Sequence, residues 1–304
     1  MLLQRAYREF ILEKEFENLA PSTLKSYELL FNDFLSWAEE EDITNVEHVT
    51  SKVLKRYLVR CQTVKGNNPT SINTKRKLFR AFFNFMKEEG HIDENPTDSV
   101  RKVREEIRIK TFSDNEVKEI LKHLRRVQRR EQSFFSVRNY IIFLTLIGTG
   151  LRASELTSLK WKDVDLKNMT LRVFGKMKRD EIVPIDEKLS KELAYWRDYC
   201  KERFGELSSS VFVNQKNNAI TVNALKCWFK RLAKEMSFPE TRCSAHSCRH
   251  YFAKVWIQNG GDISTLAKVL RHSSIKTTEK YLHFFGNEVS EHHEKFNPLK
   301  KLSI

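Results

Sequence analysis

Apolar residues recur every three to four positions through most of the chain, the spacing that lines one face of an α-helix. The first such stretch runs over about residues 2–17. A second follows Pro21 and Ser22, with Leu24, Tyr27, Leu30, Phe31, Phe34, Leu35 and Ala38 on one stripe. A third opens after Thr50 or Ser51, either of which suits a helix cap, and carries Val53, Leu54, Tyr57 and Leu58. A fourth spans about 70–89 with Ile72, Leu78, Phe79, Phe82, Phe83 and Met86, and Gly90 marks its end.

The pattern then breaks. Residues 95–111 (NPTDSVRKVREEIRIKT) are polar, carry Pro96 near their start, and read as a linker. Ser113 with Glu116 three residues on is a capping-box pattern that opens a new helix. The expected organisation is a helical domain at 1–94, a linker at 95–111 and a second domain at 112–304. In the second domain, helical spacing covers about 114–127, 136–148, 153–159, 187–204, 221–236, 245–259, 262–271 and 276–285. The alternating segments MTLRVF (169–174) and IVPID (182–186) read as two strands joined by the charged turn GKMKRDE, and SVFVN (210–214) as a third. The fold class is therefore mainly α with a small β-sheet: a helical N-terminal domain followed by a mixed α/β domain.

Charge sharpens this picture. Residues 1–51 hold four Lys/Arg against eleven Asp/Glu, whereas residues 52–87 hold ten Lys/Arg and no acid. Acidic and basic blocks side by side imply one face turned to a polyanion and one turned away. Lys52, Lys55, Arg56, Lys75, Arg76, Lys77 and Arg80, on the third and fourth helices, are the candidates to meet DNA. No apolar run reaches the ~18–20 residues of a membrane helix. The first helix is interrupted by charges, so it does not read as a signal peptide. Five cysteines in no regular framework fit reduced thiols, and a cytoplasmic protein is expected.

Four segments carry groups suited to phosphate chemistry: GTGLRASEL (148–156), the Gly175-Lys176-Met177-Lys178 turn, SAHSCRHYF (244–252) and LRHSSIKTTEKY (270–281). Arginine grips phosphate oxygens through a planar fork and stays charged at any working pH. Each segment taken singly is ordinary: an Arg–Glu pair on a helix, a solvated basic turn, a capped helix start, a lone helical tyrosine. Zinc is a rival for Cys243, His246, Cys248 and His250, but these lie too close together for the usual pairs of ligands and no second pair completes a site.

The order and spacing of the four segments resemble the tyrosine recombinase (phage integrase) family, across nearly the whole chain and closest to its simple two-domain Xer-type members, without the extra arm-site domain of lambda-type integrases. The resemblance implies a core-site DNA-binding domain followed by a catalytic domain. It implies that Arg152 and Arg249 hold the scissile phosphate, that His246 assists proton transfer and phosphate binding, that Lys176 protonates the departing 5′ oxygen, with Lys178 its rival, and that His272 bonds the phosphate or supports the nucleophile. Glu155 would orient neighbouring groups. Tyr281 would attack and leave a 3′-phosphotyrosine, and the two arginines would favour its phenolate.

The implied activity is site-specific cleavage and rejoining of double-stranded DNA by a homotetramer, or with a related recombinase, through a Holliday junction and with no metal, cofactor or ATP. The segment after Tyr281 is expected to dock on a neighbouring protomer. Three departures from the family pattern stand out: Arg271 where a glycine usually precedes the second histidine, Cys248 where leucine is usual, and Met177 in the basic turn. Two other readings use the same residues: a type IB-like topoisomerase, and a DNA-binding regulator that has lost catalysis.

Overall fold

A computed structural model describes residues 1–105, 110–174, 180–238, 243–272 and 274–285. The chain divides into two compact units, Met1–Ile107 and Arg108–Ile304.

The first unit is built from α1 (Leu3–Phe16), α2 (Pro21–Glu40), α3 (Ser51–Thr63) and α4 (Pro69–Glu88). Local chemistry sets their starts. Thr50 accepts from the amide of Val53 and Asn68 from that of Ser71, while Pro21 and Pro69 occupy first-turn positions where a missing N–H costs nothing. The core is aromatic. Phe31 packs on Phe82 with ring centroids 4.7 Å apart, Phe34 on Phe79 at 4.8 Å, and Phe10 meets Phe82 edge to face at 5.4 Å.

The stretch after α4, expected to be a linker, begins as part of this unit. Asn95, Thr97 and Val100 are buried. Asn73 on α4 donates to the carbonyl of Val103 (2.8 Å) and accepts from its amide (3.0 Å), and Asn95 donates to Asn84 (2.6 Å). Residues 95–105 are polar because they bond to the polar flank of α4, which hydropathy alone reads as a loop.

The second unit holds α5 (Asp114–Glu131), α6 (Phe134–Thr149), α7 (Ala153–Ser158), α8 (Glu187–Phe204), α9 (Val222–Met236), α10 (Ala245–Gln258), α11 (Ile263–Val269) and α12 (Lys276–Phe285). The capping box of Ser113 and Glu116 forms, with both reciprocal bonds present. Helix α6 is central, buried along most of its length. The sheet is antiparallel in the order β1 (Val164–Asp165), β2 (Thr170–Phe174), β3 (Asp180–Pro184), with Leu171 opposite Val183. On β2, Leu171 and Val173 face inward.

One strand expectation is corrected. Residues 210–214 make only isolated bridges, and the third strand is the two-residue β1. Val211, Phe212 and Val213 are all fully buried in succession, and the indole of Trp196 donates to the carbonyl of Val211 at 2.7 Å. A run buried on both sides reads as a strand by hydropathy, but its backbone here serves a side chain and two bridges.

Candidate active site

The site forms where α6 ends, α7 begins, and α10, the α11–α12 turn and α12 converge. Gly150 caps α6 with φ +62°, and a Cβ there would lie 2.8 Å from Leu270 Cδ2, so the position needs glycine on two counts. Two residues on, Arg152 caps α7. Its guanidinium donates to Glu155 Oε1 (2.5 Å) and to the carbonyl of Arg271 (2.7 Å). The Glu155 carboxylate also accepts from the Arg152 amide (2.8 Å).

Arg249, on α10, is buried and donates to the carbonyls of Gly150 (2.8 Å) and Leu270. Burial, with Arg152 and Arg271 nearby, pushes its pKa down to about 9, so it remains a cation at neutral pH. Arg271, the departure from the family pattern, is buried and pairs with Glu155 at 2.8 Å. Its φ of +54° lies in the left-handed region, which gives the physical reason a glycine suits this position. Glu155 is buried, which opposes ionisation, but hydrogen bonds and charge from Arg271 and Arg152 win and hold its carboxyl below the usual range. Arg152 and Arg271 thus share this carboxylate while Arg249 lies near enough to feel its charge, so three arginines face one acid and positive charge is in excess.

His272 follows the turn, its ring nitrogen Nδ1 2.7 Å from the hydroxyl of the buried Thr278. Its ring lies nearly parallel to that of Tyr281, with centroids 6.4 Å apart. Burial and the cations Arg249, Arg152 and Arg271 push its pKa down to about 4, so it is neutral at pH 7.

Tyr281, on α12, is 4% exposed, and its hydroxyl lies 2.7 Å from Nδ1 of His250. Burial raises the phenol pKa, and Arg249 and Arg152 oppose that rise without reversing it. The two arginines act in the expected direction, toward the phenolate, but desolvation outweighs them and the hydroxyl keeps its proton. His246 lies one turn from His250, with ring centroids 4.1 Å apart, and its side chain reaches the surface.

Arg152, Glu155, Arg249, His272 and Tyr281 are brought together, with His246 linked to them through His250. Lys176 and Lys178 lie outside the described residues, between β2 and β3, as does the segment after residue 285. Sequence reasoning passed over His250 except as a zinc rival. The signal was its four-residue spacing from His246, which puts the two rings on one face of α10. Among the described residues no three His, Cys, Asp or Glu side chains cluster as metal ligands, and Cys248 is fully buried in the core.

In the first unit, Lys52, Lys55, Arg56, Lys77 and Arg80 are exposed and Lys75 is half-buried. Arg76 does not join them. It is buried and donates to the carbonyl of Val100, so its guanidinium is spent on tying α4 to the stretch that follows it. Arg56 pairs with Glu41 at 2.5 Å and Arg80 with Asp98 at 3.1 Å. Among the described residues no helix is long and apolar enough to cross a membrane.

The phage integrase family model matches residues 110–288, and the model of the phage integrase N-terminal SAM-like domain matches residues 7–90. The tyrosine recombinase XerC of Pelobacter propionicus is 28% identical over 300 residues, spanning 97% of this chain and 96% of that protein. XerC of Halalkalibacterium halodurans is 27% identical over 297 residues, spanning 95% and 96%. Among solved structures, the Tn1549 transposon integrase in complex with a circular intermediate DNA superposes with a TM-score of 0.77 at 21% identity, over 92% of this chain and 95% of that one. The site-specific recombinase XerH bound to a palindromic difH substrate gives 0.75 at 19% identity, over 94% and 82%. The phage integrase family model covers more than half of this chain, including the segments that build this site, so the chain belongs to the phage integrase family and is a tyrosine recombinase.

Proposed function

We propose that the protein recombines double-stranded DNA at specific sites, with Tyr281 as nucleophile. The phenol oxygen attacks the scissile phosphorus, the bond from phosphorus to the 5′ oxygen breaks, and a 3′-phosphotyrosine and a free 5′ hydroxyl result. Attack by the 5′ hydroxyl of another strand reverses the step. The phosphodiester energy is kept in the covalent bond, so no ATP is required. Two rounds of exchange in a tetramer on paired duplexes proceed through a Holliday junction.

The observation that carries this reading is the buried Tyr281 hydroxyl beside Arg152 and Arg249, in a site where Arg152 and Arg271 share the one carboxylate of Glu155 and Arg249 is held by backbone carbonyls. Such an excess of positive charge suits the non-bridging oxygens of a phosphodiester, whose charge grows in the transition state. Arg152 and Arg249 are assigned to those oxygens. Carbonyl bonds hold both guanidinium groups in place, so little reorganisation is needed when the anion arrives. Glu155 orients Arg152, His272 supports the phosphate, and His246 assists proton transfer. Lys176 is assigned the protonation of the 5′ oxygen, and exchange of Lys176 and of Lys178 separately decides between them. Lys52, Lys55, Lys75, Lys77, Arg56 and Arg80 of the first unit are assigned to the DNA backbone, and Arg76 is withdrawn from that set.

The test is covalent capture. The protein is incubated with nicked duplex fragments of its source DNA, denatured, and run on a gel beside Tyr281→Phe. A nick near the cut lets the short product diffuse away and traps the adduct. Adducts on a few defined sequences, absent in the Phe variant, support a site-specific recombinase. Adducts on nearly all sequences favour a topoisomerase, and adducts that persist in the Phe variant overturn the assignment of Tyr281.

A further inference from the structure

We propose that His250 is the base that takes the proton from Tyr281 during attack, through its Nδ1, which lies 2.7 Å from the phenol oxygen. This inference rests on Tyr281 being the nucleophile. Burial keeps the phenol protonated, so attack requires a proton acceptor already in contact with the oxygen. His250 is in contact, and the packing of α10 against α12 fixes it there: the two rings meet edge to face with centroids 5.4 Å apart. His272 is engaged elsewhere at the equivalent nitrogen, which bonds Thr278.

The surroundings of His250 favour an acceptor. Burial comes first, then His246 and Arg249 on its own helix and His272 on the turn before α12, and together they push its pKa down to about 4. The ring is therefore neutral at pH 7, with a lone pair on one nitrogen. It is a weak base until a phosphodiester sits beside the arginines. That negative charge offsets Arg249 and raises the basicity of the imidazole. At the same time the bond forming from oxygen to phosphorus makes the phenol far more acidic, so the proton moves as attack proceeds.

The step balances. The Oη–H bond breaks and Nδ1–H forms; Oη–P forms and the bond from phosphorus to the 5′ oxygen breaks, with the proton for that oxygen supplied by a different group. On rejoining, the imidazolium returns its proton to Oη as the 5′ hydroxyl displaces the tyrosine. His250 touches the reacting oxygen and so is a catalytic residue in this account, distinct from His246 and His272.

Two measurements test it. Nitrogen NMR of histidine-labelled protein reports the tautomer. The proposal requires Nδ1 without a proton, and a proton resident on Nδ1 overturns it. Second, single-turnover adduct formation is followed on the duplex recovered by covalent capture, for His250→Ala and His250→Asn. Both variants should slow cleavage by on the order of 10²-fold or more, the usual scale for a lost general base. Asparagine accepts a hydrogen bond but cannot take the proton, so wild-type rate in His250→Asn reduces His250 to a positioning residue and overturns the proposal.

A 5′-bridging phosphorothiolate, whose leaving group needs no acid, should leave the His250→Ala defect in place; rescue would put His250 on the leaving group instead. A fluorinated tyrosine of lower pKa at position 281 should recover much of the rate. An adduct that depends on Tyr281 but forms at full speed in His250→Ala sinks this proposal alone, whereas an adduct that survives Tyr281→Phe sinks the nucleophile assignment beneath it.

Discussion

Glu155 and Arg271, 116 residues apart in the chain, form a buried ion pair at 2.8 Å, and the same carboxylate holds Arg152 at 2.5 Å. One acid thereby ties the start of α7 to the turn between α11 and α12. That turn also supplies the carbonyls of Leu270 and Arg271 to Arg249 and Arg152. Arg152 and Arg249, the cations proposed to bind the phosphate, are therefore positioned by backbone as much as by side chains.

Arg271 sits in a strained conformation for the sake of this pair. Arg271→Ala loses the pair and keeps the strain at φ +54°. Arg271→Gly loses the pair and relieves the strain. Removing one partner of a buried pair costs up to about 3–5 kcal/mol, and Arg152 stays with Glu155 to soften that loss. Both variants should be less stable, with Gly above Ala by about 0.5–1 kcal/mol. Urea unfolding checks the order; Ala equal to or above Gly would show that the backbone is not strained there.

Gly150→Ala should cost about 2–4 kcal/mol and reduce cleavage as well, because an added Cβ meets Leu270 at a positive φ. The carbonyl it would displace holds Arg249. Unfolding midpoints and adduct yield measured on the same preparation should fall together, and a fully stable variant would contradict the contact.

Stability should rise with pH across the acid range. His250 and His272 are both pushed down to about 4, by burial first and then by neighbouring charge. Between about pH 4 and an ordinary histidine pKa of ~6.5, the unfolded chain binds protons that the folded chain does not. Their contribution is fully present above that window and is lost as pH falls through it. Glu155, held low, adds a further loss at more acidic pH. Urea midpoints against pH should show a steep limb between pH 6.5 and 4 that flattens in a His250→Gln, His272→Gln double variant; an unchanged limb would contradict the assignment.

The helical frame was legible because its starts and stops are local: Ser113 with Glu116, Thr50, Gly90 and the stripes of Phe31 or Phe79 need no distant partner. The arginines, His272 and Tyr281 were legible through the resemblance, since the spacing of their segments is a property of the chain. Arg76 was not, because its partner is a carbonyl 24 residues away. The two-residue β1 is too short for alternation to register. His250 could not be paired with Tyr281 from sequence, since their contact spans 31 residues and depends on how α10 packs against α12.

Four of the five cysteines are buried and Cys227 is exposed. Burial pushes the thiols of Cys200 and Cys243 up to about 12 and that of Cys248 well above its ordinary value. A thiol reagent should label Cys227 alone in the native protein and all five in urea. Native labelling of Cys248 would mean that α10, which carries Arg249 and His250, is not packed as described.

The most direct test of the central claim is to locate the phosphate on the protein. Adduct formed on a nicked duplex is digested with nuclease and protease, and the peptide bearing the residual nucleotide is sequenced by mass spectrometry. The account predicts a nucleotide linked through its 3′ phosphate to Tyr281. A nucleotide on any other residue, or a 5′ linkage, would contradict it.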